Sequence, residues 1–162
     1  MKVIALGATM RGDDGFALAL AQQVFASDAR IELILAGRPG PGLVDLLDTH
    51  APVLLLDVVV SGHTPGSLHH FALAELPDHA RALAQLSSHG FGPAEALELA
   101  KALGRTLPRG EFIGIEGARF DLGQEFSPDL LAARARFEAL IRARADTLLD
   151  AEPQEQPCTS PV

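Results

Sequence analysis

The sequence predicts an α/β fold, a twisted and mainly parallel sheet with helices on both faces in three α/β/α layers. Three observations lead there. Short apolar runs of strand length alternate with helical segments along the chain. Those runs are apolar nearly throughout rather than at every second position, as strands covered on both faces are. The chain has 162 residues, 48% of them apolar, which is enough for one well-buried domain and too little for two. A single domain is expected over residues 1–150, followed by a Pro/Gln/Glu-rich disordered tail from Ala151 to Val162.

The elements follow in order. Lys2–Leu6 is a buried strand. A glycine turn from Gly7 to Gly12 leads into Asp13-Asp14-Gly15 and a packed helix over Phe16–Phe25. Ile31–Leu35 is the second strand, closed by the hard break Gly37-Arg38-Pro39-Gly40-Pro41-Gly42 and a short helix over Leu43–Asp48. Val53–Val60 reads as a central parallel strand carrying one charge, Asp57. Ser67–Leu73 reads as an edge strand, antiparallel to its neighbour, and a polar connection follows to Ser87-Ser88-His89-Gly90. Pro93–Leu103 is a helix, with Pro93 in its first turn and Gly104 at its C-terminal end. Glu111–Glu116 is the last strand. Ser127-Pro128-Asp129 starts a final helix to about Leu149, with Leu130, Phe137, Ile141 and Leu148 on one face. No internal repeat is present.

Composition excludes several functions. A net charge of -8 argues against a nucleic-acid partner. Arg134, Arg136, Arg142 and Arg144 read as a solvated helix face. The one cysteine, Cys158, lies in the tail, so no internal disulfide can form. No apolar run approaches the ~20 residues of a membrane span, and no signal peptide precedes the first strand. A reducing cytoplasm, no membrane insertion and a monomer are the expectations.

Few residues carry chemistry. Nucleotide folds present free N–H groups to a phosphate where Asp13 and Asp14 stand, so these carboxylates point to a cap or a cation site instead. Asp13, the earlier residue, is expected to cap the helix, leaving Asp14 for the crevice. Asp57 is costly in an apolar strand unless it reaches water, a partner or a metal; a strand-end cap is the alternative. If the first and third strands are neighbours, Asp14 and Asp57 meet at the C-terminal strand ends, where such sheets bind ligands. Of the histidines, His50, His69, His70 and His79 read as surface residues, His63 is an outside candidate, and His89 sits in a small loop able to deliver an imidazole. Two carboxylates and an imidazole suit a divalent transition metal with positions left open. The chain has no Gly-x-Ser-x-Gly elbow and no cysteine outside its tail, so serine and cysteine hydrolase schemes have little support.

Four blocks in order resemble the hydrogenase maturation endopeptidases, which trim the C-terminus of the nickel–iron hydrogenase large subunit. They are Leu6-Gly7 with Arg11-Gly12-Asp13-Asp14-Gly15, Leu56-Asp57 with Pro65-Gly66-Ser67-Leu68, Ser88-His89-Gly90, and Ile113-Gly114-Ile115-Glu116 with Leu122-Gly123 and Phe126-Ser127-Pro128. The resemblance implies a five-stranded sheet between helices and a metal-binding trio of Asp14, Asp57 and His89, which carry both catalysis and metal recognition. It implies that the trio engages nickel already loaded in the precursor, so the metal belongs to the substrate rather than being a resting cofactor. Two departures stand out. Ala8 follows Gly7 where the family has Asn, and Ala36-Gly37-Arg38-Pro39 replaces an acidic, glycine-rich turn. An arginine beside an anion-lined crevice changes substrate contacts. Two other classes are weighed: a non-proteolytic metal-sensing module that docks on a metalloenzyme precursor, and a small nucleotide-binding domain, disfavoured because Asp13 and Asp14 repel phosphate.

Overall fold

The computed structural model describes residues 1–83, 91–123 and 125–151. The strands are β1 (Lys2–Leu6), β2 (Glu32–Gly37), β3 (Val53–Val59), β4 (Leu68–Ala72) and β5 (Gly110–Glu116). The helices are α1 (Phe16–Phe25), α2 (Leu43–Leu46), α3 (Leu76–Leu83), α4 (Pro93–Ala102) and α5 (Pro128–Asp150). All five strands join one sheet in the order β2-β1-β3-β5-β4. Every pairing is parallel except that of β4 with β5, which is antiparallel and places β4 at the edge, as expected.

Side-chain alternation divides the core between the two faces. Val3, Ala5, Leu54, Leu56, Val58, Ile113 and Ile115 meet α1 and α5, whose Leu130, Phe137, Ile141 and Leu148 are buried as expected. Ile4, Leu6, Val53, Leu55 and Phe112 meet α2, α4 and the start of α3 on the other face. The chain runs from β1 to β2 through α1, then back past β1 to β3 through α2. Right-handed crossovers in opposite directions put α1 and α2 on opposite faces. The direction of travel reverses between β1 and β3, so their C-terminal ends form the crevice.

The helix ends follow their chemistry. The Ser127 hydroxyl accepts the Leu130 N–H at 3.4 Å at the start of α5. Gly104, at φ +72°, turns the chain after α4 and donates its N–H to the Lys101 carbonyl. Three expectations are corrected. The polar stretch after β4 contains a helix, α3, whose Leu76 joins the core. Its two-turn length and charged residues hid it. β2 begins one residue later than expected and extends to Gly37, because the Gly7 N–H reaches the Gly37 carbonyl at 2.9 Å. α2 closes at Leu46, two residues short of Asp48. The loop that carries His89 and the tail from Glu152 onward lie outside the described residues. Among the described residues no helix is long and apolar enough to cross a membrane.

Candidate functional site

Asp14 enters the crevice on a single 3-10 turn, Gly12–Gly15, that joins β1 to α1. Gly7 makes this possible. Its φ is +125°, and a Cβ there would lie 1.8 Å from the Asp14 carbonyl oxygen. Any side chain at residue 7 would push the turn away from the strand end. Asp14 itself is buried, 7% exposed.

Asp13 does not cap α1. Its side chain turns the other way, is fully buried, and accepts three backbone N–H groups, Ala118 at 2.8 Å, Arg119 at 2.9 Å and Ser127 at 2.6 Å. It therefore ties the loop between β5 and α5 to the turn after β1. Burial pushes its carboxyl up, but the three backbone bonds together outweigh burial and hold it below the usual carboxylate value. The partners lie more than a hundred residues away, so adjacency to α1 gave a misleading cue.

β1 and β3 are paired from Lys2↔Val53 to Ala5↔Leu56, which brings Asp57 to the strand end beside the turn of Asp14. Asp57 is partly buried, and its Oδ1 accepts the Val58 N–H at 2.8 Å. Burial pushes its carboxyl up to about 7, and the Asp14 charge adds in the same direction, against the Val58 N–H and the Arg38 guanidinium. A carboxyl buried beside a second carboxylate resists ionisation, and Asp57 is the group on which the crevice acts this way.

Arg38, just past β2, is the cation that pairs with Asp14 among the described residues. Its Nε donates to Asp14 Oδ2 at 3.1 Å and its Nη2 donates to the same oxygen. Both contacts fall on Oδ2, so Oδ1 stands outside the pair. The sequence placed an arginine near the crevice; the fold makes it the partner of Asp14. A divalent cation fits the two carboxylates in charge, because they share one guanidinium.

A second grouping lies on the same sheet face. Glu116, at the end of β5, is 2% exposed. Its Oε1 accepts the N–H groups of Ser61 at 2.7 Å and Gly62 at 2.9 Å, and its Oε2 accepts the Ser61 hydroxyl at 2.6 Å. His69 Nε2 lies 3.1 Å from Oε2, and His63 Nδ1 lies 2.9 Å from Ser61 Oγ. His69 is thus buried and partnered rather than a surface residue. His70 keeps its surface reading and pairs with Glu111 at 2.8 Å. Strand alternation lets at most one of His69 and His70 face inward, and only the pairing of β4 with β5 shows that it is His69.

The family model for hydrogenase maturation protease matches residues 18–141. That span holds Asp57 and begins just after Asp14. Among solved structures, the hydrogenase maturating endopeptidase HybD from E. coli is 18% identical, with a TM-score of 0.70 over 91% of this chain and 94% of its own. The [NiFe] hydrogenase maturation protease HybD from Thermococcus kodakarensis is 25% identical, with a TM-score of 0.67 over 88% of this chain and 98% of its own. The Hydrogenase 3 maturation protease is 17% identical, with a TM-score of 0.62 over 86% of this chain and 87% of its own. No curated protein matches the chain in sequence.

Proposed function

Since the chain belongs to the hydrogenase maturation protease family, we propose that it is the cytoplasmic endopeptidase that removes the C-terminal extension of a nickel-loaded hydrogenase large-subunit precursor. The observation that carries this reading is the meeting of Asp14 and Asp57 at the β1–β3 switch point, with the Asp57 carboxyl pushed up to about 7. Perturbed carboxylates in a crevice are the groups that functional sites use. Asp14, Asp57 and His89 engage the nickel that the precursor brings. With its carboxyl pushed up to about 7, Asp57 is only partly ionised near neutral pH, and binding a cation as a carboxylate releases the remaining proton. Arg38 orients Asp14 in the meantime through its two contacts to Oδ2.

The test uses a nickel-loaded precursor and a mass measurement of its C-terminus. Asp14→Asn, Asp57→Asn and His89→Ala are each expected to slow cleavage by roughly 100-fold or more, about 2.7 kcal/mol of lost transition-state stabilisation. Their circular dichroism stays that of the parent. Full processing by all three variants overturns the assignment of the trio. An uncut precursor that still binds the parent protein would make it a docking module instead.

A further inference from the structure

We propose a second cation site, separate from the Asp14–Asp57 crevice, formed by His63, His69 and Glu116 and suited to a divalent transition metal of the zinc and nickel class. One nitrogen from each imidazole and one Glu116 oxygen lie within 4.8 Å of one another. Two imidazoles with one carboxylate form a ligand set for such ions and leave positions for water.

The charge balance supports it. Glu116 is 2% exposed, and among the described residues its only ion-pair partner is His69. The hydrogen bonds from Ser61 and Gly62 and the His69 contact hold this buried carboxylate in place, and a metal ion would supply the full countercharge with neutral imidazoles. The geometry also offers an entrance, since His63 is exposed while His69 and Glu116 are buried. The Ser61 hydroxyl proton is committed to Glu116, so His63 Nδ1 is the donor in the contact with Ser61 Oγ. That contact is the one an incoming ion displaces. The Ser61 and Gly62 N–H groups hold Oε1, so the carboxylate stays aimed while Oε2 turns to the ion.

The placement ties this site to its neighbour. Asp57 is paired with Gly114, and Gly114 with His69, so the three form one row across β3, β5 and β4 on a single face. Two strand spacings separate the Cα atoms of Asp57 and His69 by about 10 Å. A Cβ at Gly114 would sit 3.0 Å from the Phe112 ring and 3.1 Å from Val59. The ion would clamp the turn after β3 to β4 and β5 beside the Asp57 carboxylate.

The experiment silences the first site and reads the second. An Asp14→Asn/Asp57→Asn double variant of the full chain is titrated with Co²⁺, followed by calorimetry and visible absorption. One equivalent is expected to bind, with d–d bands showing nitrogen ligation and a raised Tm. His63→Ala, at an exposed position that leaves the fold intact, is expected to weaken binding at least 10-fold, and His69→Gln to abolish it. Absence of stoichiometric binding in the double variant overturns the proposal, as does binding that His63→Ala leaves unchanged. Neither result bears on cleavage of the precursor, so this site and the proposed function fail separately.

Discussion

At the junction of β5 and α5, one buried carboxylate faces three backbone N–H groups; in the crevice of β1 and β3, two carboxylates face burial, each other and one guanidinium. Asp13 and Asp14 are adjacent in sequence, yet they belong to these opposite environments. The donors around Asp13 stabilise its anion, so it contributes to folding. The crevice disfavours the anion at Asp57, so folding leaves that charge in want of a partner. A carboxylate is structural or functional according to the donors that meet it, and the two cases predict opposite responses to pH.

The largest effect is expected at Asp13. Asp13→Ala leaves three buried N–H groups without an acceptor and should cost roughly 3 kcal/mol or more, read as a lower midpoint in urea. A loss under about 1 kcal/mol would mean that water replaces the carboxylate, and the contrast would fail. Because the Asp13 pKa is lowered on folding, its contribution is present above the ordinary carboxylate value and is lost as pH falls through the folded value.

Asp57 runs the other way. Its folded pKa of about 7 lies above the unfolded value of 3.8, so the native state binds the extra proton between them. Stability therefore declines as pH rises through that window. Asp57→Asn should raise unfolding free energy by about 1–3 kcal/mol at pH 8 and by almost nothing at pH 4. Urea curves at both pH values check this, and a difference that does not vary with pH would refute it. The smallest effect belongs to Arg38, whose side chain is 58% exposed. Arg38→Gln should change stability by less than about 1 kcal/mol, while loss of its pull moves the Asp57 titration upward. Carboxyl ¹³C shifts against pH report that movement; a downward shift would place Arg38 outside the crevice's electrostatics.

Much of the fold was legible from local pattern. Lys2–Leu6 and Phe16–Phe25 have the bounds expected of them, because burial on both faces of the sheet and a broad apolar helix face are written in composition. The expected edge position of Ser67–Leu73, antiparallel to its neighbour, is that of β4. What stayed hidden depends on distant partners. Nothing near Asp13 announces the N–H groups of Ala118, Arg119 and Ser127. Nothing near Arg38 says that its fork closes on Asp14. His69 and Glu116 become neighbours only through the register of β4 on β5. The meeting of Asp14 and Asp57 was foreseeable because switch-point topology constrains it in advance.

The strand order also shapes the protein's birth. β3 and β4 follow each other in the chain, yet β5 lies between them in the sheet. As the polypeptide leaves the ribosome, the apolar flank of Val53–Val59 emerges before its permanent neighbour has been synthesised. Until Gly110–Glu116 slots in, that flank is an open template for other chains, and β4 has nothing to pair with. The nascent protein is most exposed to aggregation in this interval. Its closing event, insertion of one strand between two already made, is also the moment at which Glu116 first meets its histidines.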